Sequence, residues 1–193
     1  MMTLEEIQFE LSNVLKKKRL MHTVGVRYTA QAMAMCFDED MEKTGYAGML
    51  HDCAKYLSDN EMLEACRRYK ISITEAEKKK PSLLHAKVGQ VFAREVYGIT
   101  DDSILSAIRW HTTGKPAMST LEKIIYIADY IEPNRRPLPQ MEQIRNMAFT
   151  DLNKTMYMIL ASTLSYLEES KENNDAIDKY TIDAFDFYKE YVE

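Results

Sequence analysis

The stretch MLHDCAK, residues 49–55, decides how this chain is read. It sets an imidazole, His51, directly before a carboxylate, Asp52, in an apolar segment around Ala47, Met49, Leu50 and Ala54. Apolar spacing predicts a helix over 42–56. The other three histidines, His22, His85 and His111, also fall within or at the end of predicted helices, among apolar neighbours. One histidine in such a setting is usually a hydrogen-bonded core residue. Four of four, with none left for the surface, point to a shared site. A second carboxylate, Asp129 in LEKIIYIADYIEP, lies one turn after Ile125 and in line with Leu121. Burying it there is expensive unless something positive meets it. Alone it could be a structural hydrogen bond, or a pair with Lys123 or Arg135. Beside the histidines, a bound divalent cation accounts for it better.

The order His22, His51-Asp52, His85, His111, Asp129 has separations of 29, 1, 33, 26 and 18 residues. Most of these gaps are about one helix plus a turn, so successive helices of a bundle can each aim a ligand at a common interior point. Imidazole with carboxylate suits Fe, Mn, Zn or Co rather than Mg or Ca. Six ligands exceed what one open catalytic metal takes from protein. Two metals bridged by a carboxylate would use all six, and Asp52, adjacent to a ligand in sequence, is the natural bridge.

The rest of the chain reads as helix almost throughout. Residues 3–16 carry Leu4, Ile7, Leu11, Val14 and Leu15 on one face; residues 19–37 follow, with Met21, Val24, Tyr28 and Met35 contributing. Ser58-x-x-Glu61, Thr74-x-x-Glu77 and Ser119-x-x-Glu122 are capping-box patterns at helix starts. Pro81 opens a helix that Gly98 closes, and Asp101 or Asp102 caps the next, which runs to about His111. The segment 131–139 holds three prolines and leaves the helix; two more helices are expected over 151–170 and 176–191. With 6 Gly, 5 Pro and no convincing strand, the expected fold is an all-α helical bundle, one domain over 1–193, with a buried dinuclear metal site. The 13 Met residues, Trp110 and the tyrosines read mainly as packing.

Lys plus Arg is 25 against 30 Asp plus Glu, a net charge of −5, which disfavours gripping nucleic acid through its backbone. Three cysteines, Cys36, Cys53 and Cys66, include no C-x-x-C pair and read as reduced thiols. No stretch has signal-peptide character or the roughly 18 apolar residues of a membrane span. A cytoplasmic protein without membrane attachment is expected; a homodimer is compatible with a bundle of this size. The basic runs Lys16-Lys17-Lys18-Arg19 and Lys78-Lys79-Lys80 read as solvated helix ends and a loop.

His…HD…Asp is the signature of the HD-domain superfamily of phosphohydrolases, and His85 and His111 resemble the additional ligands of its dinuclear members. The blocks RLMHTVGV (19–26), LHDCAK (50–55), LLHAKVGQVFA (83–93), AIRWHTTG (107–114) and KIIYIADYIEPNR (123–135) resemble the bacterial YqeK-like family. That resemblance spans roughly residues 15 to 190. It implies metal-dependent, symmetrical hydrolysis of dinucleoside tetraphosphates such as diadenosine tetraphosphate to two nucleoside diphosphates. It also implies two divalent transition-metal ions, iron foremost, with Mn, Co or Zn as substitutes.

On that reading His22, His51, Asp52 and Asp129 hold one metal, and Asp52, His85 and His111 the other. Lys55 follows His51 by four residues and Asp52 by three, which on a helix is the same face, and is the first choice for a catalytic phosphate contact. Arg135 comes second, with Arg136 as its substitute, because guanidinium forks well onto phosphate. Arg19, one turn before His22, and Thr112, Thr113 and Gly114, after a ligand at a helix end, are further candidates for substrate binding. Rival readings are another HD-type phosphohydrolase, acting on deoxynucleotides, cyclic dinucleotides or alarmones, and a non-catalytic nucleotide-sensing HD module.

Overall fold

The structure is a computed structural model that describes residues 2–138, 140–169 and 177–192. In chain order its helices are α1 (Leu4–Val14), α2 (Lys17–Cys36), α3 (Met41–Leu50), α4 (Asp59–Arg68), α5 (Glu75–Lys79), α6 (His85–Glu95), α7 (Asp102–Trp110), α8 (Thr120–Ile131), α9 (Met141–Met147), α10 (Leu152–Glu169) and α11 (Lys179–Lys189). A 3-10 turn, Pro81–Leu84, leads into α6, and no strand occurs among the described residues. The all-α expectation holds. Pro139, Ser170 and Ala176, at the edges of expected segments, lie outside the described residues.

Helix starts follow the sequence signals closely. Ser58, Thr74 and Ser119 each accept from the backbone N–H of the glutamate three residues on, and that glutamate's carboxylate accepts from the cap's own N–H. Thr3 and Glu6 form a fourth such box. Asp101, not Asp102, caps α7. Asp40 caps α3, accepting from Glu42 and Lys43.

Helix α8 is buried nearly all round, through Leu121, Ile124, Ile125, Ile127 and Ala128, as the axial helix of a bundle should be. Helices α2, α7 and α10 pack around it, and α3 packs on α2 and α7. Gly48 lets α3 close on α2, since a Cβ there would stand 2.9 Å from the Arg27 Cα. A smaller apolar cluster, with Ala54, Met62, Cys66, Leu84 and Val88, ties α4 and α6 to the segment after α3.

Four sequence expectations are corrected. The helix expected over 42–56 stops at Leu50, and the chain continues in tightened turns, with Cys53 N–H donating to Leu50 O (3.1 Å) and Lys55 N–H to Asp52 O (2.9 Å). Lys55 therefore shares no helical face with His51. On α2 the expected apolar contributors Met21, Tyr28 and Met35 are exposed, and the buried face carries His22, Thr23, Val26, Ala30, Met33 and Ala34. The face turned to the core is the one that carries His22, with Val26 and Met33 filling space beside Thr23, Ala30 and Ala34. Pro81 opens the 3-10 turn, with α6 beginning only at His85. Helix α9 went unforeseen: it is seven residues long and starts after Gln140 at φ 60° without a side-chain cap.

Replacing Ser119 by Ala removes the hydroxyl that accepts the Glu122 N–H at 3.2 Å. Loss of such a cap costs about 1 kcal/mol. Chemical denaturation should show a lower midpoint, shifted by that free energy divided by the denaturant slope, with the slope unchanged.

Candidate metal centre

His51 and His111 stand directly after the last residues of α3 and α7, where helix carbonyls lack intrahelical partners. Each imidazole satisfies one: His51 Nδ1–H donates to Gly48 O and His111 Nδ1–H to Ile108 O, both at 2.7 Å. His85 does the same from the first position of α6, with Nδ1–H donating to Ser82 O at 2.7 Å. On α2, His22 Nδ1–H donates to Glu132 Oε1 at 3.0 Å. These bonds fix every proton on Nδ1 and leave every Nε2 as a lone pair directed at the same interior point.

Asp52 occupies that point, buried to 3% exposure. Its Oδ2 lies 3.5 Å from His51 Nε2 and 3.9 Å from His22 Nε2. Its Oδ1 lies 3.2 Å from His85 Nε2 and 3.6 Å from His111 Nε2. Asp129 Oδ1 faces the first pair, at 3.0 Å from His22 Nε2 and 3.8 Å from His51 Nε2. Asp52 thus turns one oxygen to each pair of histidines.

A cation fits this arrangement on three observations. His22 Nε2 and His51 Nε2 are buried without a hydrogen-bond partner among the described residues, even though His22 Nε2 lies 3.0 Å from Asp129 Oδ1. That pair is close but out of hydrogen-bond alignment. The Nε2 atoms of His85 and His111 are only 3.1 Å apart, two lone pairs facing one another beside a carboxylate. Finally, His22, His51 and Asp129, and likewise His51, Asp52 and His111, each bring three ligand atoms within 4.8 Å of one another. The outward N–H of each histidine is held by a carbonyl or carboxylate, as ligating histidines require.

At His51 and His85 the protonation states agree with a free Nε2 lone pair. Burial lowers the pKa of His51 to about 4 and also lowers that of His85, so both are neutral near pH 7. Burial opposes ionisation of Asp52, but His51, His111 and His85 outweigh it and hold the carboxyl well below its usual range. Asp129 is held low in the same way, chiefly by His22 and Arg135 against the cost of burial. For His22, burial disfavours the charged form, yet Asp129 and Glu132 outweigh it and raise the pKa.

Cations ring the cluster. Arg19 pairs with Asp52 Oδ2 at 2.6 Å. Arg135 donates to Asp129 twice, from Nε to the backbone carbonyl at 2.8 Å and from its guanidinium Nη2 to Oδ1 at 2.7 Å. Both Arg135 and Arg136 line the neighbouring cavity, and among the described bonds only Arg135 holds Asp129. Lys55 reaches the cluster despite the early end of α3, with Nζ 3.0 Å from Nδ1 and 3.2 Å from Nε2 of His85. Since Nδ1 is already donating, the ammonium lies against the ring, and burial lowers its pKa. The Thr112 hydroxyl is 3.1 Å from the Nε2 of both His85 and His111. Thr113 instead donates to Gly114 O at 3.0 Å, and Gly114, at φ +67°, faces Ala184, Tyr126 and Met118. The structure does not bring those two to the cluster.

A cavity of 1020 Å³ opens beside His22, lined by Lys16, Lys17, Lys18, Arg19, Arg135 and Arg136 together with Glu132 and Asn134. The first basic run is therefore the wall of a cleft at the site; the sequence had offered Arg19 for that place and read Lys16, Lys17 and Lys18 as a solvated helix end. Glu132 was also missed. It closes α8 just before a proline, and only its place three residues after Asp129 hinted at the site.

The HD domain family model matches residues 19–134, more than half of the chain. The chain belongs to the HD-domain family. This HD-domain protein is 44% identical over 153 residues to a Halalkalibacterium halodurans protein named symmetrical bis(5'-nucleosyl)-tetraphosphatase, covering 79% of this chain and 81% of the relative. It is 38% identical over 171 residues to a Bacillus subtilis protein of the same name, covering 89% and 91%. A crystal structure from Clostridium acetobutylicum, described as a predicted HD superfamily hydrolase involved in NAD metabolism, superposes with a TM-score of 0.92. Its sequence is 37% identical, and 99% of both chains is covered. Among the described residues of this HD-domain protein no helix is long and apolar enough to cross a membrane.

A divalent cation that binds the folded cluster stabilises it by mass action, by about 2.7 kcal/mol at 100 times its dissociation constant. Thermal melts of chelator-treated protein should rise on adding Mn²⁺. His51→Ala should abolish most of that rise, and a Tm indifferent to metal in the wild type would exclude a cation site.

Proposed function

We propose that the chain hydrolyses dinucleoside tetraphosphates, diadenosine tetraphosphate among them, symmetrically to two nucleoside diphosphates. The observation that carries this reading is Asp52, with an oxygen turned to each of two histidine pairs beside a cavity walled by lysine and arginine. The names of the tetraphosphatase relatives support the choice of substrate. We assign His22, His51, Asp52 and Asp129 to one divalent transition metal and Asp52, His85 and His111 to a second, iron foremost. Bound there, such ions supply Lewis acidity toward phosphoryl oxygens and bring the pKa of water down to about 7.

The chain's own groups supply position and charge, which phosphoryl transfer needs more than covalent help. In the reaction a water oxygen joins one of the two inner phosphorus atoms. The bond from that phosphorus to the oxygen it shares with the other inner phosphorus breaks, and the second nucleoside diphosphate leaves as an anion. Arg135 is fixed by its two bonds to Asp129 and presents its remaining N–H groups to phosphate. Arg19 offsets the Asp52 charge on one side, and Lys55 brings a cation to the His85 side. The Thr112 hydroxyl, between two imidazoles, is placed to donate to a phosphoryl oxygen. Lys16, Lys17, Lys18 and Arg136 extend the cationic wall over the length of a polyphosphate.

Anaerobically purified protein given diadenosine tetraphosphate should yield adenosine diphosphate as sole product, resolved by anion exchange. A mixture of mono- and triphosphate would overturn the symmetric cut. Lys55→Ala should lower kcat/KM by roughly 10–100-fold, the loss of one hydrogen bond to a charged group at about 1.5–3 kcal/mol, with metal content unchanged. Unchanged kinetics would remove Lys55 from the site.

A further inference from the structure

Glu132 is a buried carboxylate, 1% exposed, at the end of α8. Its Oε1 accepts from His22 Nδ1–H at 3.0 Å. Its Oε2 accepts from the backbone N–H of Asn134 at 2.7 Å and from the Asn134 side-chain amide at 3.0 Å. The backbone beneath it is tied down as well: Arg145 donates from Nε to Ile131 O at 2.9 Å and from its guanidinium Nη2 to Glu132 O at 3.1 Å. Every contact on one oxygen is a neutral donor, so the other is left as the negative partner of His22.

The side chain can lie there only because residue 25, one turn after His22 on α2, is glycine. A Cβ at that position would collide with Glu132 Oε2 and stand 3.2 Å from its carboxyl carbon and 3.1 Å from Asn134 Nδ2. Gly25 sits inside a helix, where glycine is less stable than alanine. The slot it leaves in α2 is filled by the carboxylate that holds the histidine one turn earlier.

We propose that Glu132, seated in the Gly25 slot and braced by Asn134, is the positioning residue of the metal centre. It sets the His22 tautomer and ring orientation and raises the basicity of Nε2 through the proton on Nδ1. Among the four histidines, His22 alone uses a carboxylate for this purpose; His51, His85 and His111 use backbone carbonyls. The difference follows from position. His22 lies inside α2, where the carbonyls behind it are engaged in the helix, whereas the other three lie at helix ends. A mid-helix ligand needs its outer partner from another element, and the end of α8 delivers one from just beyond Asp129.

This inference rests on the metal reading above, and metal affinity tests it without the reaction. Glu132→Gln keeps the shape but must turn its amide either toward the Asn134 donors or toward His22 Nδ1–H, and either way two donors face each other. Gly25→Ala leaves every polar group in place and displaces the carboxylate by contact alone. Titration of chelator-treated protein with Mn²⁺ by calorimetry should show roughly 10–100-fold weaker binding at the His22 side in both variants. Their Tm in chelator should fall by far less than the metal-induced rise. Nitrogen NMR of the imidazoles should show His22 protonated at Nδ1 in the wild type and mixed in Glu132→Gln. Equal Mn²⁺ affinity and an unchanged His22 tautomer in both variants would overturn the positioning role. A wild type that binds no Mn²⁺ would overturn the metal reading with it.

Discussion

Asp52 is a carboxylate almost cut off from water, with imidazole nitrogens facing both of its oxygens. Leaving such a charge without compensation would cost several kcal/mol. Arg19 compensates one oxygen; the Nε2 lone pairs facing the carboxylate add no positive charge and, like it, call for a cation. The requirement to gather those groups at one point accounts for much of the architecture. His22 comes from α2, His51 from the end of α3, His85 from the start of α6, His111 from the end of α7 and Asp129 from α8. Five helices must hold their register for the charge to be met, and the apolar core built around α8 supplies that register.

Site and fold also share hydrogen bonds. The ends of α3 and α7 are closed by the same imidazoles that face Asp52, so a carbonyl that needs a donor and a nitrogen that needs a defined tautomer satisfy each other. His22 has no such carbonyl and takes Glu132 instead, at the expense of a glycine within α2. Around this rigid centre the cations are arranged in two ranks. Arg19, Arg135 and Lys55 touch the cluster, and Lys16, Lys17, Lys18 and Arg136 wall the cleft that leads to it. An acidic chain overall thus concentrates positive charge where a polyphosphate would lie.

The ligand residues were legible in the sequence because burying histidine and aspartate on apolar helical faces is costly, which makes them conspicuous. Capping boxes marked three helix starts for a similar reason: orphan N–H groups need particular side chains at fixed spacing. What stayed hidden depends on three-dimensional approach. The slot at Gly25 and the bond from His22 to Glu132 join residues 110 positions apart, and nothing in local spacing announces them. The buried face of α2 was misjudged because it is the face that carries His22, not the one with Met21, Tyr28 and Met35. Lys55 reached the cluster by a turn where a helix was expected, so the residue was anticipated and its geometry was not. Thr112 and Thr113 are indistinguishable by type and spacing, and only the fold separates the one at the cluster from the one bonded within its turn.

The proposal that Asp52 would serve two metal ions, one on each histidine pair, rests on the position of its two oxygens. Anomalous diffraction from crystals grown with Mn²⁺ tests it directly. Two peaks are expected, one among His22, His51 and Asp129 and one between His85 and His111, with Asp52 touching both. A single peak, or peaks that leave Asp52 paired only with Arg19, would contradict it.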